Sequence, residues 1–72
     1  MKRVKVISSM LKSIGYDPTR QDMEITFKSG DVYTYTPITQ RKYDNFMSAT
    51  SYGEHFHRNI KGAAGIKVLK HV

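Results

Sequence analysis

The sequence predicts a small α+β domain, with an antiparallel sheet of three to four strands covered by two C-terminal helices. Three observations carry that expectation. Met23, Ile25 and Phe27 alternate with Glu24, Thr26 and Lys28, the period of a half-buried strand, and a turn at Lys28-Ser29-Gly30 leads into a second extended stretch, Asp31 to Thr36. Past Pro37 the period becomes helical, with Ile38, Tyr43, Phe46 and Met47 forming one apolar stripe. A second stripe, Tyr52, Phe56 and Ile60, follows the capping sequence Ser51-Tyr52-Gly53-Glu54.

Taken in order, Val4 and Val6 alternate with Arg3 and Lys5, which reads as a short strand with a basic outer face. Leu11, Ser13 and Ile14-Gly15-Tyr16 suggest the next strand, ended by Asp17-Pro18. Proline fixes its own φ there, and the Asp side chain can accept a local backbone bond. The hairpin that follows decides the role of Tyr33 and Tyr35. A two-residue Ser29-Gly30 loop would set Phe27 against Val32 and put the tyrosines on the polar face. A three-residue loop with Gly30 left-handed shifts the register by one residue, and such a shift turns every side chain to the other face. The bulged form is expected, because glycine stands where φ > 0 is needed. Tyr33 then faces Ile25, Tyr35 faces Met23, and both rings read as core before they read as a stacking platform for bases.

Thr39 is the expected N-cap of the first helix, with Ile38 and Tyr43 placed as a hydrophobic staple. Ser51 caps the second, and Gly62 is well placed to stop it. Residues 1–62 thus make one domain. Residues 63–72 form a tail whose Ile66, Val68 and Leu69 read either as an edge strand or as a frayed end.

A chain of 72 residues buries only about 60% of its unfolded surface, so it has room for one modest core. No cysteine is present, which excludes disulfide staples, thiolate zinc sites and a cysteine nucleophile. No apolar run is long enough to span a membrane, and the N-terminus lacks the apolar stretch of a signal peptide, so the expected compartment is the cytoplasm. The formal net charge is +6, unevenly spread. Residues 1–16 hold four cations and no anion, whereas residues 17–36 hold two cations against four anions. Basic ends around a slightly acidic hairpin can draw in a polyanion; the bland alternative is a solvated surface that keeps a small protein soluble.

Catalytic chemistry finds no support. Ser8 and Ser9 lack a nucleophile-elbow context, and the six carboxylates show no pairing pattern. Metal binding is disfavoured because His55 and His57 would lie about 200° apart on a helix and cannot clasp one ion. No cofactor or metal is therefore expected. Phosphate binding is better founded. Arg58 and Lys61 lie three apart on the exposed side of the second helix, close to Lys2, Arg3 and Lys5 if the sheet edge packs there. Arginine can offer two parallel bonds to a phosphate.

The ordered set Ser8-Ser9, Ser13-Ile14-Gly15-Tyr16-Asp17, Phe27-Lys28-Ser29-Gly30, Tyr33-Thr34-Tyr35, then Tyr43, Ser51, Gly53, Phe56 and Ile60-Lys61, resembles the KTSC domain over about residues 4–61. That module is named for the C-terminus of some lysyl-tRNA synthetases and also occurs as a stand-alone small bacterial or phage protein. Where the family pattern has Asn after the helical Phe, this sequence has His57, so no role of that asparagine carries over. The resemblance implies a domain without an assigned activity, with RNA binding suggested by the synthetase context.

The expectation is thus a non-catalytic nucleic-acid-binding module, with RNA favoured over DNA as the single-stranded partner. Lys2, Arg3, Lys5, Arg41, Lys42, Arg58 and Lys61 would contact phosphates, and Tyr16 or Tyr52 would offer exposed ring surface. The rival is a small protein- or ligand-binding regulator, such as a phage-encoded inhibitor of a host protein or nucleotide signal. Oligomeric state is not legible.

Overall fold

The computed structural model describes residues 2–71, the side chain of Lys2 excepted. Strands β1 (Lys2–Lys5), β2 (Leu11–Asp17), β3 (Asp22–Phe27) and β4 (Val32–Thr36) are followed by helix α1 (Gln40–Met47) and helix α2 (Tyr52–His55). Helix α2 runs straight on into a π-helical turn over Phe56–Ile60, and strand β5 (Lys67–His71) ends the described chain. The sheet therefore has five strands rather than three to four, in the order β1-β2-β3-β4-β5, with every neighbour antiparallel. The additional strand is the C-terminal segment. It pairs with β4 from Val32↔His71 to Thr36↔Lys67 and covers an edge that would otherwise present unpaired backbone groups.

Local chemistry sets each turn. Asp17 Oδ1 accepts from the backbone N–H groups of Thr19 (3.0 Å) and Arg20 (3.3 Å), the Asx-type turn that an Asp-Pro pair favours. At the next hairpin Gly30 has φ +97°, its N–H donates to the Phe27 carbonyl (3.0 Å), and the Phe27 N–H donates to the Asp31 carbonyl (2.9 Å). The resulting register places Met23 opposite Tyr35 and Ile25 opposite Tyr33, as the bulged loop requires. A further irregularity between Leu11 and Ser13 does similar work in β2. It lets Leu11 and Ile14, an odd number of residues apart, both turn inward to face Phe27 and Ile25.

Thr39 and Ser51 cap the two helices as expected. The Thr39 hydroxyl accepts from the Lys42 N–H (3.2 Å) and the Ser51 hydroxyl from the Glu54 N–H (3.4 Å). The core lies between the helices and one sheet face, where Leu11, Ile14, Met23, Ile25, Ile38 and Phe46 are fully buried. Phe56 and Ile60 close it from the π turn, and Gly62, with φ +72°, leads the chain away.

Residues directly opposed across an antiparallel sheet share a face, so the outer face carries the row Arg3, Gly15, Glu24, Thr34 and Leu69. Arg3 forms an ion pair there with Glu24.

Candidate functional site

A cleft of about 580 Å³ lies on the helix side of the sheet. Four chain segments line it: the loop at Ser9-Met10, the β3–β4 hairpin, the π turn with Lys61 after it, and β5 at Val68. The loop is shaped by Ser8, whose hydroxyl accepts from the N–H groups of Met10 (3.2 Å) and Leu11 (3.3 Å). It is fastened to the hairpin by the Lys28 N–H, which donates to the Met10 carbonyl (3.0 Å). The third wall depends on the i→i+5 bond from the Lys61 N–H to the Phe56 carbonyl (2.8 Å). Such single π turns occur often at functional sites. This one sets Phe56, His57 and Lys61 along the same border of the cleft.

Aromatic rings in edge-to-face contact line the interior. Phe27 meets Tyr33 (5.6 Å between ring centres, 84°) and Phe56 (5.6 Å, 70°), and Tyr35 meets Phe56 (5.4 Å, 79°). These are favourable quadrupole geometries, so the wall is a packed unit. Tyr35 is 4% exposed and is a core residue, whereas Tyr33 is only half-buried and its ring borders the cleft. Burial, with a smaller contribution from neighbouring Tyr33, pushes the Tyr35 hydroxyl up to about 12. The question raised by the two tyrosines thus has a split answer: one ring is core and the other is wall.

Charge collects at the rim. Lys28 and Lys61 line the cleft, and Lys70 of β5 places its ammonium 5.9 Å from the centre of the Tyr33 ring, within cation–π range. Asp31 is the one carboxylate among the lining residues, and it accepts a hydrogen bond from the Ser29 hydroxyl (3.1 Å). A smaller groove shares Ser9, Met10 and His57 with the cleft and extends it toward Arg58.

Of the residues expected to contact phosphates, the structure brings Lys61 to the cleft and Arg58 to the adjoining groove. The two are not neighbours along one helical face, because Lys61 has already left the helix with extended backbone. Arg3 and Lys5 lie opposite Gly15 and Ser13 on the outer face of the sheet, so they do not join Arg58 and Lys61 in one patch. Strand register dictates this, since Val4 takes the inward position opposite buried Ile14. Arg41 and Lys42 are exposed in the first turn of α1, and Lys42 lines a separate small groove with His55 and Asn59. The side chain of Lys2 lies outside the described residues.

The expectation of an exposed ring at Tyr16 is overturned. Its ring stacks on Tyr43 at 4.3 Å and 8°, its hydroxyl donates to the Ile38 carbonyl, and burial raises its pKa. Inward alternation in β2 puts it opposite Met23. Tyr52 is half-buried, edge-on to Phe46, with its hydroxyl directed to the Met47 carbonyl (3.5 Å). Reasoning from charge alone missed Ser9, Lys28, Tyr33 and His57. The signal for the first three was in the ordered motif, because Ser9, Phe27-Lys28-Ser29, Tyr33, Tyr35, Phe56 and Lys61 all converge on this one cleft, whereas His57 stands outside that motif.

These features define a class: a small α+β domain that holds an aromatic-walled, lysine-rimmed cleft between a hairpin end and a π turn. The KTSC domain family model matches residues 7–63, and the chain belongs to that family. It is 41% identical over 61 residues to an uncharacterized protein of Stutzerimonas stutzeri, covering 85% of this chain and 86% of that one. It is also 34% identical over 59 residues to a lysine–tRNA ligase of Nostoc sp., covering 82% of this chain but 10% of the ligase. The crystal structure of a KTSC domain protein from Yersinia pestis matches with a TM-score of 0.91 at 39% identity, over 99% of this chain and 97% of that one.

Proposed function

We propose that this domain is a non-catalytic, cytoplasmic binding module for single-stranded nucleic acid, RNA in preference to DNA, and that the cleft is its contact site. The observation that carries the reading is the union of an aromatic wall with Lys28 and Lys61 on its rim. Proteins that hold single strands combine aromatic faces for bases with cations that follow the backbone. The surrounding field favours a polyanion, since the chain carries a formal +6. Arg58 adds a further cation in the adjoining groove, where Glu54 is the one carboxylate among the lining residues. RNA is favoured because a tenth of a lysine–tRNA ligase, an enzyme named for an RNA, is similar to most of this chain.

The test is the salt dependence of binding to a labelled single-stranded RNA. Each phosphate contact releases counterions, so log affinity should fall linearly with log salt. Exchanging both Lys28 and Lys61 for Glu should weaken binding to every sequence alike and flatten that slope by about 1.4, at roughly 0.7 per phosphate for single strands. Absence of binding at about 50 mM salt would overturn the proposal, because even a non-specific cationic site registers there.

A second reading draws on the volume and apolar walls of the cleft, which suit a small ligand or an inserted side chain of a partner protein. On that reading the domain is a regulator, and its binding should survive added salt.

A further inference from the structure

We infer that the cleft takes one unpaired nucleotide at a time, with the base against the aromatic wall and the adjoining phosphate on Lys28 and Lys61. The inference rests on the nucleic-acid reading and makes it specific: the domain recognises loops, bulges and strand ends and rejects duplex. Size is the first support. A volume of about 580 Å³ falls within the range of sites that enclose one small molecule, and a nucleotide is of that order. Shape is the second. The walls come from four separate segments, so the space is a recess and not a flat platform along which successive bases could stack. A base held in a duplex stays stacked between its neighbours and cannot enter a recess without unpairing.

Charge is the third support. Lys28 and Lys61 line the recess and Lys70 stands over the Tyr33 ring, while Asp31 is occupied by the Ser29 hydroxyl. The surplus is positive at the rim, where the walls end, and that arrangement matches a ligand with an apolar plane at one end and an anion at the other. The interior also has a hydroxyl to offer. Tyr35, which lines the cleft, carries it. Burial keeps that hydroxyl protonated, and therefore able to donate, across the physiological range.

Three probes decide the matter: an oligouridylate of roughly six nucleotides, the same backbone with abasic sites throughout, and a short RNA duplex. The intact single strand should bind at least about fivefold more tightly than the abasic strand, the lower end of what one stacked base contributes. It should exceed the duplex by a similar factor. Tyr33→Leu should remove the advantage of the intact strand while leaving the abasic affinity unchanged, and Lys28→Ala should weaken both strands equally. Thermal melting confirms that each variant is folded, and the comparison of probes on the unmodified protein does not depend on any variant. Equal binding of intact and abasic strands, or of duplex and single strand, overturns the inference but leaves the nucleic-acid reading in place. Binding of none of them at about 50 mM salt overturns both.

Discussion

Gly30 has a conformation that few other residues adopt, φ +97°, with open space where a side chain would begin. Nothing would clash with an added Cβ, so the cost of substitution is conformational. Gly30→Val should destabilise the fold by about 1–2 kcal/mol, since a β-branched residue is strained in the left-handed region. Chemical denaturation would show this as a lower midpoint with an unchanged slope. Tyr35 offers a second residue-scale prediction. Its hydroxyl is pushed from 10 to about 12, chiefly by burial, so the folded form keeps a proton that the unfolded chain loses first. The stability tied to this group is therefore complete below pH 10 and declines as pH rises toward 12. Phenolate absorbance should show a late phase near pH 12 that Tyr35→Phe removes.

At the scale of elements, short polar signals placed the turns and caps. Asp17, the Lys28-Ser29-Gly30 turn, Thr39 and Ser51 each satisfy backbone groups within a few residues, so their roles were legible without a fold. The cap at Ser51 is open to test. Ser51→Ala should lower stability by about 1 kcal/mol, seen as a reduced melting temperature. An unchanged melting temperature would mean that the Glu54 N–H needs no partner there. What was not legible depends on distant pairing. The tail became a fifth strand because β4 offered an edge for Lys67–His71, and no property of residues 63–72 alone chooses between pairing and fraying. Likewise the irregularity in β2 and the π turn at Phe56–Ile60 reconcile local chain geometry with a shared core, and neither has a sequence pattern of its own.

At the scale of the molecule, the cations grouped by charge in the sequence do not gather in one patch, whereas residues of the ordered motif gather at one cleft. Summed charge pointed to both ends of the chain. The sheet then sends Arg3 and Lys5 to its outer face, where Arg3 pairs with Glu24, and leaves Arg58 and Lys61 on the helix side. Alternation along β1 and β2 decided that separation, as it decided the burial of Tyr16. Lys28, Ser29 and Tyr33 had readable duties in a hairpin, which hid their second position at a cleft assembled with the Ser9-Met10 loop and the π turn. Binding is expected in that cleft and not on the outer sheet face. Titrating isotope-labelled protein with a single-stranded RNA while recording amide shifts tests it most directly. The amides that move should belong to Ser9, Met10, Lys28, Tyr33, His57 and Lys61. Movement confined to Arg3, Lys5, Ser13 and Thr26, with the cleft amides still, would contradict it.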